Sequence, residues 1–318
     1  MTKPWPDLDL GRIRLSSLDN RHSKVKVADF AEPYKVGATF RGFIKTWPDI
    51  LAAGDLKKAA QSLARAKRAG LTIMLAMGGH PIKVGLGPLL VDLLEKGLFD
   101  SISANGSVMV HDTEVALVGA TSEDVGANLG DGAFGVTGET GALINKAAKM
   151  AAEKGQGLGQ TLGLLLNDLN PPEIKSSVLA AAARLNIPLT IHAALGTDVY
   201  NIHPDRDFGS LGQASQNDFQ TFCQLTATLE GGVFLNLGSA VIMPEVFLKA
   251  LTLVRNLGHA VKKVTTINMD FIHQYRSRVN VVERPTKEGG QGYYFIGHHE
   301  IMFPLLMALV LEELESPF

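Results

Sequence analysis

The residues best equipped for chemistry crowd into the stretch from 190 to 244. His192, Asp198, His203 and Asp205 lie within fourteen residues, in a polar segment between apolar runs. Imidazole and carboxylate groups together move protons in acid–base catalysis. The same groups bind divalent metals. Here the gaps of six, five and two match no zinc spacing. His203, Asp198 and Asp205 are the catalytic candidates of this segment. Asp270, at the end of a later apolar run, is the fourth catalytic candidate. Two other readings stay open: metal-assisted hydrolysis on the His192–Asp205 loop, and a surface loop whose aspartates only cap helices.

Two glycine turns are candidates for a second kind of chemistry. Gly78, Gly79, His80 and Lys83 follow the apolar run 71–77, and Gly238 and Ser239 follow the run 233–237. Neither turn has the G-x-G-x-x-G dinucleotide spacing. Backbone N–H groups at a turn entering a helix still suit a phosphate, and Lys83 adds positive charge. Asn105, Gly106 and Asp112 follow a third apolar run and extend the same candidate cofactor surface.

These groups need a scaffold that brings strand ends together. Short apolar runs at 71–77, 98–105, 187–192, 233–238 and 264–269 read as buried strands. Stretches with helical spacing separate them. The alternation predicts an α/β fold, an open, mostly parallel sheet with helices on both faces. In such sheets, ligands collect at the carboxyl ends of the strands. Residues 215–218 and Asn170 read as helix starts, and 278–283 reads as a further strand. Residues 121–136 read as a long glycine-rich loop, a type that is usually functional. The expected organisation is an N-terminal arm over 1–45 and one α/β nucleotide-binding-type domain over 46–318.

Composition narrows the function classes. Of 318 residues, 46% are hydrophobic and 19% charged, and the net charge of −2 gives no case for nucleic acid or an anionic membrane. The one cysteine, Cys223, cannot form an intramolecular disulfide and fits a reducing compartment. No run approaches the length of a membrane span. A soluble cytoplasmic protein is the expectation, either an enzyme acting on small molecules or a non-catalytic protein of this fold kept for binding or assembly.

The stretch IMLAMGGHPIKVGLGPLLVDLLEKGLFDSISANGSVMVHDTEVAL resembles deoxyhypusine synthase, from its first cofactor-contacting turn to its A-G-G-x-E-x-D segment. SSVLAAAARLNIPLTIHAALGTDVYNIHP resembles its helix, strand and loop ending in an active-site histidine, matched here by His203. GGVFLNLGSAVIMPEVFLKAL, TTINMD and FPLLMALVLEEL are similar to later segments, so the likeness spans roughly residues 70 to 315. It implies a nicotinamide-cofactor fold shared with sirtuin-type proteins, NAD as cofactor, and a homotetramer with sites at subunit interfaces. It also implies hydride abstraction from an amine such as spermidine, followed by transfer through an imine on an enzyme lysine. That lysine position holds Met243 here. A thioether forms no imine, so the resemblance implies NAD-dependent chemistry on a polyamine or other amine, without deoxyhypusine synthesis. The glutamate of A-G-G-x-E-x-D falls on Val110 or His111, and Asp112 matches its aspartate.

Overall fold

The structure, a computed structural model, describes residues 5–317. The chain divides after Gly54 into two compact units. Within the first, single 3-10 turns lead to α1 (Phe40–Lys45). Tyr34, Phe43 and Trp47 meet edge to face at 5.6 Å, and the Asp49 N–H closes on the Asp29 carbonyl. Thr46 is the C-cap of α1, and α2 (Leu51–Arg68) begins five residues later.

The second unit is a six-stranded sheet. Its strands are β1 (Ile73–Met77), β2 (Ser101–Asn105), β3 (Leu189–His192), β4 (Val233–Leu237), β5 (Thr265–Asp270) and β6 (Gln291–Ile296). Every pairing is parallel and the spatial order is 3-2-1-4-5-6. The expected α/β fold is therefore what the chain adopts. β1, β4 and β5 are buried at every position, as strands covered on both faces must be. Edge strand β6 is half exposed, and its side chains give no continuous apolar signal. That is why the periodicity misses it.

The connections are α3 (His80–Lys83), α4 (Gly87–Glu95), α5 (Gly106–Val118), α6 (Val125–Asn128), α7 (Gly138–Lys154), α8 (Leu158–Leu169), α9 (Val178–Arg184), α10 (Phe208–Thr226) and α11 (Ile242–Asn256). After β5 come α12 (Tyr275–Ser277), a π-helical turn (Arg278–Glu283) and α13 (Arg284–Thr286), and after β6 comes α14 (His299–Glu315). One core layer lies where α10 and α11 cover the sheet. Phe234 of β4 stacks on Phe247 of α11 at 3.7 Å and meets Phe222 of α10 edge-on, around Met74 and Met243. Among the described residues, no helix is long and apolar enough to cross a membrane.

Three local expectations change. Residues 215–218 lie inside α10, whose true cap is Asp207 accepting the Ser210 N–H at 3.1 Å. Asn170 ends α8 in the left-handed region (φ 45°), and Ser177 caps α9 instead. Residues 278–283 are a π turn, not a strand, and Arg278 pairs with Glu283 across its five-residue spacing.

Candidate functional site

The strand order reverses between β1 and β4, the place where parallel α/β sheets gather their ligands. Gly78 and Gly238 are both needed there. Each extends its ladder by one bond, Gly78 N–H to Leu237 O and Gly238 N–H to Met269 O, both 3.0 Å. A β carbon on Gly78 would sit 3.0 Å from the Gly238 carbonyl carbon and closer still to its oxygen. Gly238 itself has φ +66°, and a β carbon there would press on the His299 ring at 3.0 Å. The two turns thus pack on each other with no room for side chains.

Over Gly238 gathers an aromatic and acidic cluster. The His80 ring lies 5.0 Å from Phe271 and 5.1 Å from His299. Asp270 ends β5 and accepts the Phe271 N–H at 2.8 Å. Burial pushes its pKa up, opposed by the Phe271 N–H and by the His299 and His80 imidazoles. His299 is fully buried, and burial holds its pKa below the ordinary imidazole value. Its Nε2 lies 3.2 Å from the Met269 carbonyl, an acceptor, so Nε2 carries the proton. Nδ1 is then an acceptor with no partner. Ser239 accepts the Met243 N–H at 3.2 Å in the first turn of α11.

A second group lies beside the first and meets it at Gly79. A cavity of about 280 Å³ is lined by Lys83, Ser107, His111, Glu114, Glu123 and Asp198, among others. A β carbon on Gly79 would lie 2.9 Å from His111 Cδ2 and also collide with Ser107. Gly106 opens α5 beneath Asp198, whose carboxylate accepts the Tyr200 hydroxyl at 2.8 Å. Burial raises the Asp198 pKa against that bond and the Ala194 N–H. Asp198 covers the positive end of α5, a place where an anion is otherwise favoured. A carboxylate thus already occupies that helix end, and the Asn105 side chain caps α5 by accepting the Val108 N–H.

Glu114 was not singled out by sequence reasoning, nor were Ser107, Thr121, Tyr200 or Phe271 as site residues. Thr121 donates its hydroxyl to the Glu114 carboxylate, and the Thr121 oxygen lies 2.7 Å from His111 Nδ1. Burial acts to raise the Glu114 pKa, but the nearby His111 imidazole and the Thr121 hydroxyl outweigh it and leave the pKa below the usual value.

The other predicted residues scatter. Asp112 is fully buried and holds the start of α9, accepting from Ser177 Oγ (2.5 Å), Val178 N (2.8 Å) and Leu179 N (3.1 Å). Burial lifts its pKa to about 6 against those three bonds. His203 packs on Gly141, and its Nδ1 accepts the Asp205 N–H at 3.1 Å. The lone pair that a base would use is therefore committed. The Asp205 side chain is 65% exposed. His192 is buried at the end of β3 against Phe222, and burial lowers its pKa to about 3. Among the described residues, no three His, Cys, Asp or Glu side chains converge as a metal cage. Met243 is fully buried in the α10–α11 core layer, and the small cavity that His203 lines with Glu114 and Tyr200 does not include it.

No family model and no curated protein matches this chain. Solved structures share its fold. AgrE, in a ternary complex with ornithine and NAD+, aligns at 15% identity with a TM-score of 0.51, over 83% of this chain and 33% of AgrE. ArgZ, an arginine dihydrolase from the ornithine–ammonia cycle in cyanobacteria, aligns at 14% with a TM-score of 0.51, over 83% of this chain and 33% of ArgZ. A deoxyhypusine synthase-like protein of Entamoeba histolytica aligns at 13% with a TM-score of 0.51, over 88% of this chain and 96% of that one. The chain thus spans about a third of the length of AgrE and ArgZ, and the likeness to all three is one of fold.

Proposed function

We propose that this protein is an NAD-dependent enzyme acting on a small primary amine. The observation that carries the reading is the acid-lined cavity of Asp198, Glu114 and Glu123 opening beside the strand-order reversal. Three carboxylates against the single Lys83 favour an ammonium group, since opposite charge stabilises the ionised form. The solved proteins of this fold include one that binds ornithine and NAD+.

The residues around Gly238 fit a dinucleotide. The fifteen-residue helix α11 begins within four residues of this turn and directs its N-terminus to the carboxyl edge. His299, in contact with Gly238, leaves a buried acceptor, Nδ1, without a protein partner beside this turn. Gly78, His80, Gly238, Ser239, Asp270 and His299 would hold the cofactor, which supplies hydride acceptance when bound. Asp198 and Glu114 fix the ammonium, and Lys83 sets a limit on how much positive charge the substrate carries nearby. An imine on an enzyme lysine at position 243 is no part of this reading, because Met243 is a core residue.

Thermal melting tests both halves. Saturation at about 100 times the dissociation constant adds about 2.7 kcal/mol. NAD at millimolar concentration should raise the midpoint, and ornithine, arginine or spermidine should raise it further. Asp198→Asn should abolish the amine shift and keep the NAD shift. If millimolar NAD leaves the midpoint unmoved, the reading fails.

A further inference from the structure

Hydrogen-bond direction singles out one histidine at the cavity. A hydroxyl has one proton to give. Thr121 gives its proton to Glu114, because a carboxylate only accepts. The Thr121 oxygen must then accept from His111, so His111 Nδ1 carries a proton. In the neutral ring this leaves the lone pair on Nε2. Nε2 adjoins Cδ2, the ring edge that lies against Gly79, and the His111 side chain lines the cavity with 12% of its surface exposed. The neighbouring histidines differ. His203 Nδ1 is committed to the Asp205 N–H, and the free nitrogen of His299 is wholly buried.

We infer that His111 Nε2 is the proton acceptor for the bound amine, and that Thr121 and Glu114 are positioning residues that hold its tautomer. The role in amine chemistry rests on the function proposed above; the tautomer does not. In the step, an ammonium N–H bond breaks, a bond from that proton to Nε2 forms, and the electron pair of the broken bond stays on the amine nitrogen. A bound nicotinamide would supply hydride acceptance; His111 itself only takes the proton and leaves the amine uncharged. The imidazolium that results sits 3.7 Å from the Glu114 carboxylate, measured from Nδ1. His111→Gln removes the acceptor, Thr121→Val breaks the relay, and Thr121→Ser keeps it.

Two measurements decide the matter. Long-range proton–nitrogen NMR of histidine-labelled full-length protein, with His111 assigned by its loss in His111→Gln, should show the neutral ring protonated at Nδ1. Thr121→Val should shift it toward the Nε2 form and Thr121→Ser should not. A wild-type ring protonated at Nε2 overturns the assignment, whatever the activity. NADH formation with ornithine, arginine and spermidine as probes should fall about 10²–10⁴-fold in His111→Gln. It should fall in Thr121→Val and recover in Thr121→Ser. A His111→Gln rate within twofold of wild type, in protein that melts normally, overturns the acceptor role. Absence of NADH from wild type with every probe overturns the amine reading itself, and the NMR result then stands separately.

Discussion

Asp198 stands directly over Gly106: a β carbon on Gly106 would lie 2.6 Å from Asp198 Cγ and 2.6 Å from the Tyr200 hydroxyl. One contact thus joins the loop after β3 to the first residue of the helix after β2. It holds the carboxylate that gives the cavity its preference for cations. Glycine is required here for close approach, not for an unusual backbone angle.

Gly106→Ala should therefore cost about 1–3 kcal/mol, the usual range for overpacking. It should also displace Asp198 and weaken any amine-induced melting shift. In an Asp198→Ala background the cost should shrink, because the first obstacle is gone; a double-mutant cycle by urea titration reads the coupling. Additive costs would mean that the two residues do not touch.

Buried carboxyls make stability fall as pH rises. Asp218 is buried, accepts the Ile191 N–H (2.8 Å) and the Gly159 N–H (3.0 Å), and has its pKa pushed up by burial to about 7. A folded value above the unfolded 3.8 means that its contribution is fully present below pH 3.8 and is lost as pH rises through about 7. The slope is at most about 1.4 kcal/mol per pH unit for one group. His192 works in the opposite sense, because its depressed pKa removes stability as pH falls below 6.5. The difference between wild type and Asp218→Asn isolates the first effect. Urea midpoints at pH 5 and pH 8 should differ less in the variant.

Gly238→Ala should cost about 1–2 kcal/mol from its left-handed backbone alone, with φ +66° and His299 3.0 Å away adding to it. Because this turn belongs to the nucleotide half of the site, the variant should lose the NAD-induced melting shift and retain the amine-induced one. Loss of both would place the amine on the same turn.

Met243→Lys restores the residue type that the deoxyhypusine synthase resemblance places there. It should yield no imine-forming enzyme. Met243 is fully buried against Phe247 and Phe234, and a buried unpaired ammonium belongs to the class of substitutions costing roughly 4 kcal/mol or more. Chemical denaturation should show that loss, and borohydride trapping with spermidine and NAD should label no lysine.

Much of the scaffold was legible in the residues alone. LTIMLAM and VFLNLG are continuous apolar runs closed by glycine, and burial on both faces of a parallel strand demands that composition. Those signals are local, so five of the six strands and the glycine turns at Gly78 and Gly238 follow from the chain's order. QGYYFI escaped because an edge strand has no need to be apolar throughout. RVNVVE misled because β-branched residues favour strands, while its Arg278–Glu283 pair closes a π turn.

The site divides in the same way. Residue types marked out the strand ends and the acidic Asp198 beside them. Which histidine has a usable lone pair was decided only by tertiary structure. His203, His111 and His299 are the same side chain, and their tautomers are set by Asp205, Thr121 and Met269 respectively. Asp112 likewise looks like a site residue in the chain and in space holds the first N–H groups of α9. Apolar periodicity records how each segment meets the core, which any one segment can specify. A proton's position depends on the partner facing it, and that partner is chosen only when the elements pack.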